Sequence, residues 1–293
     1  MYQFIEIYDE KIHYFDSDSG GKNAKPIILF IHGNSFSLEV FKMQLSSMRL
    51  LKNFRLIALD LPGHGKSSFM VTPFNYSLPG FGKCLIEFIN KLELSNIFFC
   101  GHSLGGHILF EILPELETSK TLGSLTWGTP PFGKLEDLSQ AFYSTEVTAL
   151  LSKETLTEND GQLFAACCHS ENYKNKLDFV ETILAADPRL RTYLSKSLVE
   201  LRFSNEIHNI NKSNLHIGII NLHDDLFVQS SYFQSNSFLM GISRNRKCQI
   251  INVPNAGHSF HLESPEIFED ILLGIIKTSL GEMHISTGST FSL

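Results

Sequence analysis

The chain holds one Gly-x-Ser-x-Gly run, Gly101-His102-Ser103-Leu104-Gly105. A serine in that spacing suits nucleophilic chemistry if the backbone turns sharply beneath it. Side chains two positions away would crowd such a turn, and glycines leave it open. The surroundings fit. Ile97-Phe98-Phe99-Cys100 reads as a short buried strand, and a helical stretch opens at Leu104. Strand, turn and helix in that order lift the hydroxyl above a sheet, with the free N–H groups of the helix pointing at it. The competing reading is a tight helix–strand packing in which Ser103 only caps the helix. The context favours the nucleophile.

A serine hydroxyl needs a base, and the base needs an orienting acid. Among 12 histidines, His258 stands out in Asn255-Ala256-Gly257-His258, just past an apolar run at Gln249–Val253. That is the C-terminal edge of a strand, where open parallel sheets bind ligands. His261 is the competitor three residues on. The acid is expected after the apolar run His216–Leu222, at Asp224 or Asp225. Asp225 is preferred because it sits deeper in the loop, in Leu222-x-x-Asp225-x-x-Val228.

Acyl transfer builds negative charge on a carbonyl oxygen, which two backbone N–H groups usually hold. The N–H of Leu104 is one candidate. The other is Asn34, in the turn His32-Gly33-Asn34, whose side-chain amide is also in reach of a substrate. Asn34 is equally suited to cap a helix starting near Phe36, and the two roles are compatible. This chemistry needs no cofactor and no metal.

Two other features invite chemistry and are set aside. Gly65-Lys66-Ser67 looks like the end of a phosphate loop, but that motif requires Gly where Asp60 stands. The segment reads as a structural turn, and His64 and His107 are read as structural. The five cysteines, two of them adjacent at Cys167 and Cys168, show neither a disulfide framework nor a spaced thiolate knuckle. They read as free thiols of a reducing compartment.

The elements that must position these residues form a βαβ pattern. A hairpin is expected at Phe4–Ile7 and Lys11–Phe15. Buried strands follow at 26–31, 55–61, 96–100, 216–222 and 249–253. Helices are expected at 36–51, 78–92, 104–116 and 265–279, with a loose Ser/Thr/Gly-rich tail at 284–293. From Pro130 to about Asn211 the chain reads as helices alone, opened by Gly128-Thr129-Pro130-Pro131. The expected organisation is thus an α/β core from 1–129 and 212–293, with a helical cap inserted at 130–211. Phe142, Tyr143, Leu163 and Phe164 in that cap are expected to form a mostly apolar pocket.

The whole chain narrows the partners. At 293 residues, 43% hydrophobic and with a net charge of −7, it supports a large core and disfavours nucleic acid or an anionic membrane. The 24 Phe against one Trp are read first as core. No basic, continuously apolar start and no apolar run of about 18 residues occurs, so neither a signal peptide nor a membrane span is expected. A cytoplasmic protein with a small-molecule substrate is the expectation.

His32-Gly33-Asn34-Ser35, Asp60-Leu61-Pro62-Gly63-His64-Gly65-Lys66-Ser67, Gly101-His102-Ser103-Leu104-Gly105-Gly106 and Asn255-Ala256-Gly257-His258 together resemble the α/β-hydrolase superfamily. That resemblance implies a mostly parallel central sheet flanked by helices and a serine nucleophile. A narrower set is similar to the α/β-hydrolase N-acyl-homoserine lactonases: His32-Gly33-Asn34-Ser35, Ser103-Leu104-Gly105-Gly106-His107-Ile108, Gly128-Thr129-Pro130-Pro131 and Asn221-x-x-Asp224-x-x-Phe227-Val228. In those enzymes a Glu stands at the place of Asp225, which supports Asp225 as the acid, and an Asn stands at the place of Asn34. Here Leu222 replaces their usual Gly before the acid. Leu163 or Phe164 falls where their cap carries a substrate-contacting Tyr. The resemblance implies hydrolysis of a carboxylic ester or lactone. A Ser rather than Asp nucleophile disfavours epoxide hydrolysis and dehalogenation. Carbon–carbon bond or thioester hydrolysis, and a non-catalytic small-molecule receptor, are the alternatives.

Overall fold

The computed structural model describes residues 1–18, 25–242 and 245–287. Its strands are β1 (Tyr2–Ile7), β2 (Glu10–Asp16), β3 (Ile27–Ile31), β4 (Arg55–Leu59), β5 (Ile97–His102), β6 (Thr121–Trp127), β7 (His216–Leu222) and β8 (Cys248–Val253). They pair in the order β1-β2-β4-β3-β5-β6-β7-β8. The β1–β2 hairpin is antiparallel and joins β4 antiparallel, and every other pairing is parallel.

The apolar runs of β3 and β5 are explained by two-sided burial. Alternate side chains point to opposite faces. Ile28 and Phe30 enter one core with Phe98 and Cys100, while Ile27, Leu29 and Ile31 enter the other with Ile97 and Phe99. Each such side chain contributes about 2 kcal/mol on burial, so these strands cannot slip register without exposing a full set. Most phenylalanines serve these two cores, among them Phe30, Phe41, Phe81, Phe88, Phe98, Phe99 and Phe110.

Four elements differ from the sequence expectation. β6, with the sequence Thr-Leu-Gly-Ser-Leu-Thr-Trp, is buried throughout yet carries hydroxyls and a glycine that break any apolar run. Parallel neighbours on both sides, β5 and β7, make it a strand. The helix expected over 36–51 divides into a 3₁₀ turn at Leu38–Phe41 and short helices at Lys42–Leu45 and Met48–Asn53. Ser47 is extended (ψ 113°) and its side chain caps the second helix. The helix from Leu104 ends at Ile112, followed by a 3₁₀ turn at Leu113–Glu115 that contains Pro114, which cannot continue an α-helix. The final helix runs Pro265–Thr287, so it takes in the start of the expected loose tail; 288–293 lie outside the described residues.

Between β6 and β7 the chain forms helices, including Leu135–Ala141, Glu158–Cys167, Val180–Ala185, Pro188–Val199 and Glu206–Lys212. Among the described residues no helix is long and apolar enough to cross a membrane. All five cysteines are free, and burial pushes the Cys84 thiol up to about 12.

Candidate active site

Ser103 has φ 52° and ψ −117°, a conformation costly for a residue with a Cβ. It is held from both sides. Its N–H donates to the Trp127 carbonyl at 2.9 Å, and the Thr129 hydroxyl donates to its carbonyl at 3.0 Å. A Cβ added at Gly105 would lie 2.2 Å from the Ile31 carbonyl oxygen, so glycine is what lets the helix Leu104–Ile112 come so close to β3. Ser103 occupies the N-cap position of that helix but makes no side-chain cap bond. The capping alternative therefore has no support, and the hydroxyl is left for the cavity it lines.

The structure separates the two histidines the sequence left in competition. His261 is fully buried, and its Nδ1 accepts the Trp127 indole N–H at 3.0 Å. His258 instead lines a small cavity together with Ser103, Asn34, Phe36, Phe164 and Phe227. Its Nδ1 lies 2.7 Å from Asp225 Oδ2. Asp225 is 3% exposed, and its Oδ1 accepts the N–H groups of Phe227 at 2.8 Å and Val228 at 3.1 Å. Asp224 is exposed. Among the described residues Ser103 Oγ has no hydrogen bond to the His258 ring. Such contacts tighten in the substrate complex.

Two further features hold the His258 ring and its loop. Gly128 has φ +61°, and a Cβ there would lie 2.6 Å from His258 Cε1. Gly128→Ala should therefore push the imidazole aside. Its expected result is a loss of about 100-fold in kcat with a much smaller fall in Tm, read by ester kinetics beside thermal unfolding. The second feature is Glu263, whose carboxylate accepts the N–H groups of Ser170 at 2.8 Å and Gly257 at 3.1 Å. Burial would raise its pKa, but the His169 ring and those N–H groups outweigh burial and hold it below the ordinary value of 4.5. A carboxylate depressed in the folded state stabilises the fold at neutral pH, and that contribution is lost as pH falls through the depressed value. Wild type should thus melt above Glu263→Gln near neutral pH, and the gap should close on acidification below the ordinary carboxylate range. A gap constant with pH in thermal melts would refute the charge role.

Asn34 is 8% exposed and lines both cavities beside Ser103. The cap of the following turn is Ser37, not Asn34. Ser35, at φ 63°, donates its hydroxyl to Asn34 Oδ1 at 2.9 Å. Arg191 Nη1 in turn donates to Ser35 Oγ at 2.9 Å. This chain of donors fixes the Asn34 amide through its oxygen and leaves Nδ2 for the cavity. Arg191 is 1% exposed and also donates to the carbonyls of Lys153 and Glu154, each at 2.7 Å. Burial lowers its pKa, and no carboxylate among the described residues is within ion-pair distance. Leu104 opens the helix that follows Ser103 and lines the larger cavity with it.

Of the expected pocket residues, Phe142 lines both cavities and Phe164 the smaller one. Leu163 lines neither, and Tyr143 is exposed. Neighbours on the helix Glu158–Cys167 point about 100° apart, and Phe164 takes the inward direction against Phe36 and Phe227. The larger cavity, about 240 Å³, extends from Ser103 between Leu104, Phe132, Leu138, Leu194 and Leu198. Leu151 joins the two cavities. Sequence reading missed these leucines because their spacing is that of any helical core. The Gly63–Ser67 segment is a structural turn: Asp60 accepts from Lys66 N, Leu38 N and the His13 ring. Among the described residues no group of three or more His, Cys, Asp or Glu is placed to hold a metal.

A model of the alpha/beta hydrolase family matches residues 28–271. The chain belongs to that family. Over its whole length this hydrolase is similar to the N-acyl homoserine lactonase AidH solved with N-butanoyl homoserine, with 26% identity, a TM-score of 0.84 and 100% of both chains covered. A probable serine hydrolase of Drosophila melanogaster is 23% identical over 278 residues, 94% of this chain and 77% of that one. Bifunctional epoxide hydrolase 2 of Sus scrofa is 30% identical over 102 residues, 35% of this chain, so the match spans 17% of that relative's length.

Proposed function

We propose that this hydrolase cleaves a carboxylic ester or lactone through an acyl-enzyme on Ser103. The observation that carries the reading is the Asp225–His258 pair at 2.7 Å, opening into one cavity with a strained, uncapped Ser103. In this mechanism Ser103 Oγ attacks the carbonyl carbon as His258 Nε2 takes its proton. The Leu104 and Asn34 N–H groups hold the oxyanion. The carbon–oxygen bond then breaks, and His258 returns the proton to the leaving alkoxide. In a lactone that hydroxyl stays attached to the product, because the ring has opened. Water activated by His258 next releases the acid. Asp225 keeps Nδ1 protonated throughout. No step needs a metal or cofactor.

The residues 130–211 serve in this reading as a helical cap over the sheet edge, and the apolar cavity beneath it takes the acyl arm. The full-length likeness to AidH supports a lactone, specifically an N-acyl-homoserine lactone, among the esters. Five free thiols, three of them buried, support a reducing, cytoplasmic setting.

The test has two parts. A fluorophosphonate probe should label the protein, and labelling should vanish in Ser103→Ala. Labelling that survives that change would overturn the nucleophile. A panel of p-nitrophenyl esters beside acyl-homoserine lactones then reads the substrate, and indifference to every lactone would leave an open-chain esterase.

A further inference from the structure

A second histidine–carboxylate pair flanks the nucleophile. His107, one helical turn beyond Ser103, has Nδ1 at 2.9 Å and 3.1 Å from the two carboxylate oxygens of Glu206. Glu206 is fully buried and also accepts the Phe132 N–H at 3.1 Å. The ring is wedged between Phe132 and Phe142, with centroids 5.0 Å and 6.0 Å away. Its side chain is 9% exposed, and it lines the larger cavity.

Glu206 fixes the tautomer. A carboxylate accepts only, so Nδ1 carries the hydrogen, and Nε2 of the neutral ring bears a lone pair. Nε2 has no protein partner among the described residues. It is therefore a lone-pair acceptor in a cavity walled mainly by leucine and phenylalanine. A substrate that fills the cavity buries this atom, which is costly if it stays unmatched, and a ligand donor that meets it avoids the cost.

Resting on the ester-hydrolase reading, we propose that the His107–Glu206 pair is a specificity subsite. It accepts a hydrogen bond from a hydroxyl carried on the acyl arm of the substrate. Sites built to bond a hydroxyl discriminate strongly against the analogue that lacks it, whereas apolar walls barely distinguish the two. His107 thus selects a hydroxylated acyl chain, while Ser103 and His258 act on its carbonyl. A merely structural pair, tying the helix Glu206–Lys212 to the helix Leu104–Ile112, would affect every substrate alike.

The experiment compares p-nitrophenyl octanoate with analogues whose hydroxyl is moved along the chain. At one position of the hydroxyl, wild-type kcat/KM should exceed that for the plain ester by about tenfold, the worth of one net hydrogen bond. In His107→Phe, which keeps the ring and removes Nε2, the ratio should fall to about one, whatever happens to the absolute rates. His107→Phe strands a buried carboxylate, so the double variant His107→Phe/Glu206→Gln is run beside it as the folded counterpart and should give the same ratio. Turnover with no favoured hydroxyl position in wild type, or a preference that survives in the double variant, would overturn the subsite alone. If no ester is turned over and no fluorophosphonate label forms, the hydrolase reading fails and takes the subsite with it.

Discussion

Ser103→Ala should lower ester turnover by roughly six orders of magnitude, the scale seen when a triad nucleophile is removed, while leaving the fold intact. The fold should survive because alanine keeps the Cβ that already occupies the turn at φ 52°, and Ser103 makes no side-chain cap bond whose loss would matter. The rate should collapse because nothing replaces the oxygen. No other hydroxyl occupies the turn between β5 and its helix, and the Cys84 and Cys100 thiols are buried, with their pKa values raised by burial. A small residual rate should persist, since the oxyanion donors and the cavity still bind substrate. Steady-state kinetics on active-site-titrated protein, with a thermal melt as control, check this. Retention of more than about one per cent of wild-type activity would remove Ser103 from the chemistry.

Asp225→Asn should cost about four orders of magnitude in kcat, and Asp224→Asn next to nothing. The difference follows from what each side chain touches. Asp225 is bonded on both oxygens, by two backbone N–H groups on one and by His258 on the other. Asparagine keeps the acceptor for the backbone donors and turns its NH₂ toward His258 Nδ1. A donor there forces the opposite tautomer, with hydrogen on Nε2, where the base must be free. Asp224 points into solvent, and exposed substitutions of this kind stay within about 0.5 kcal/mol. A dead Asp224→Asn beside an active Asp225→Asn would reverse the assignment.

The parts of this site that were legible in the sequence are local. Ser103 was marked by its own glycines and by the strand before it, and Asp225 and His258 by their places just after apolar runs. The parallel core was equally readable at β3, β5 and β7, because two-sided burial leaves uninterrupted apolar runs. β6 escaped because Thr121, Gly123, Ser124 and Thr126 hide the same burial behind polar letters. The pairing of His107 with Glu206 carries no sequence signal, because the two lie 99 residues apart and no spacing rule joins them. Leu163 and Phe164 were indistinguishable as letters, since only the roll of their helix decides which one faces inward. Arg191 carried no signal, as an arginine on a helix is ordinarily a solvated charge.

That arginine ties together parts of the chain that lie 156 residues apart. Its guanidinium comes from the helix Pro188–Val199, and the Ser35 it holds comes from the loop after β3. The helices between β6 and β7 and the sheet that carries Ser103 are therefore not interchangeable modules. A chimera grafted with the corresponding helices of a relative would strand Ser35 unless the graft brought its own cation to the same spot. The same dependence couples the two parts in folding: the Asn34 amide is set through Ser35 only once the helix Pro188–Val199 has packed against the loop after β3.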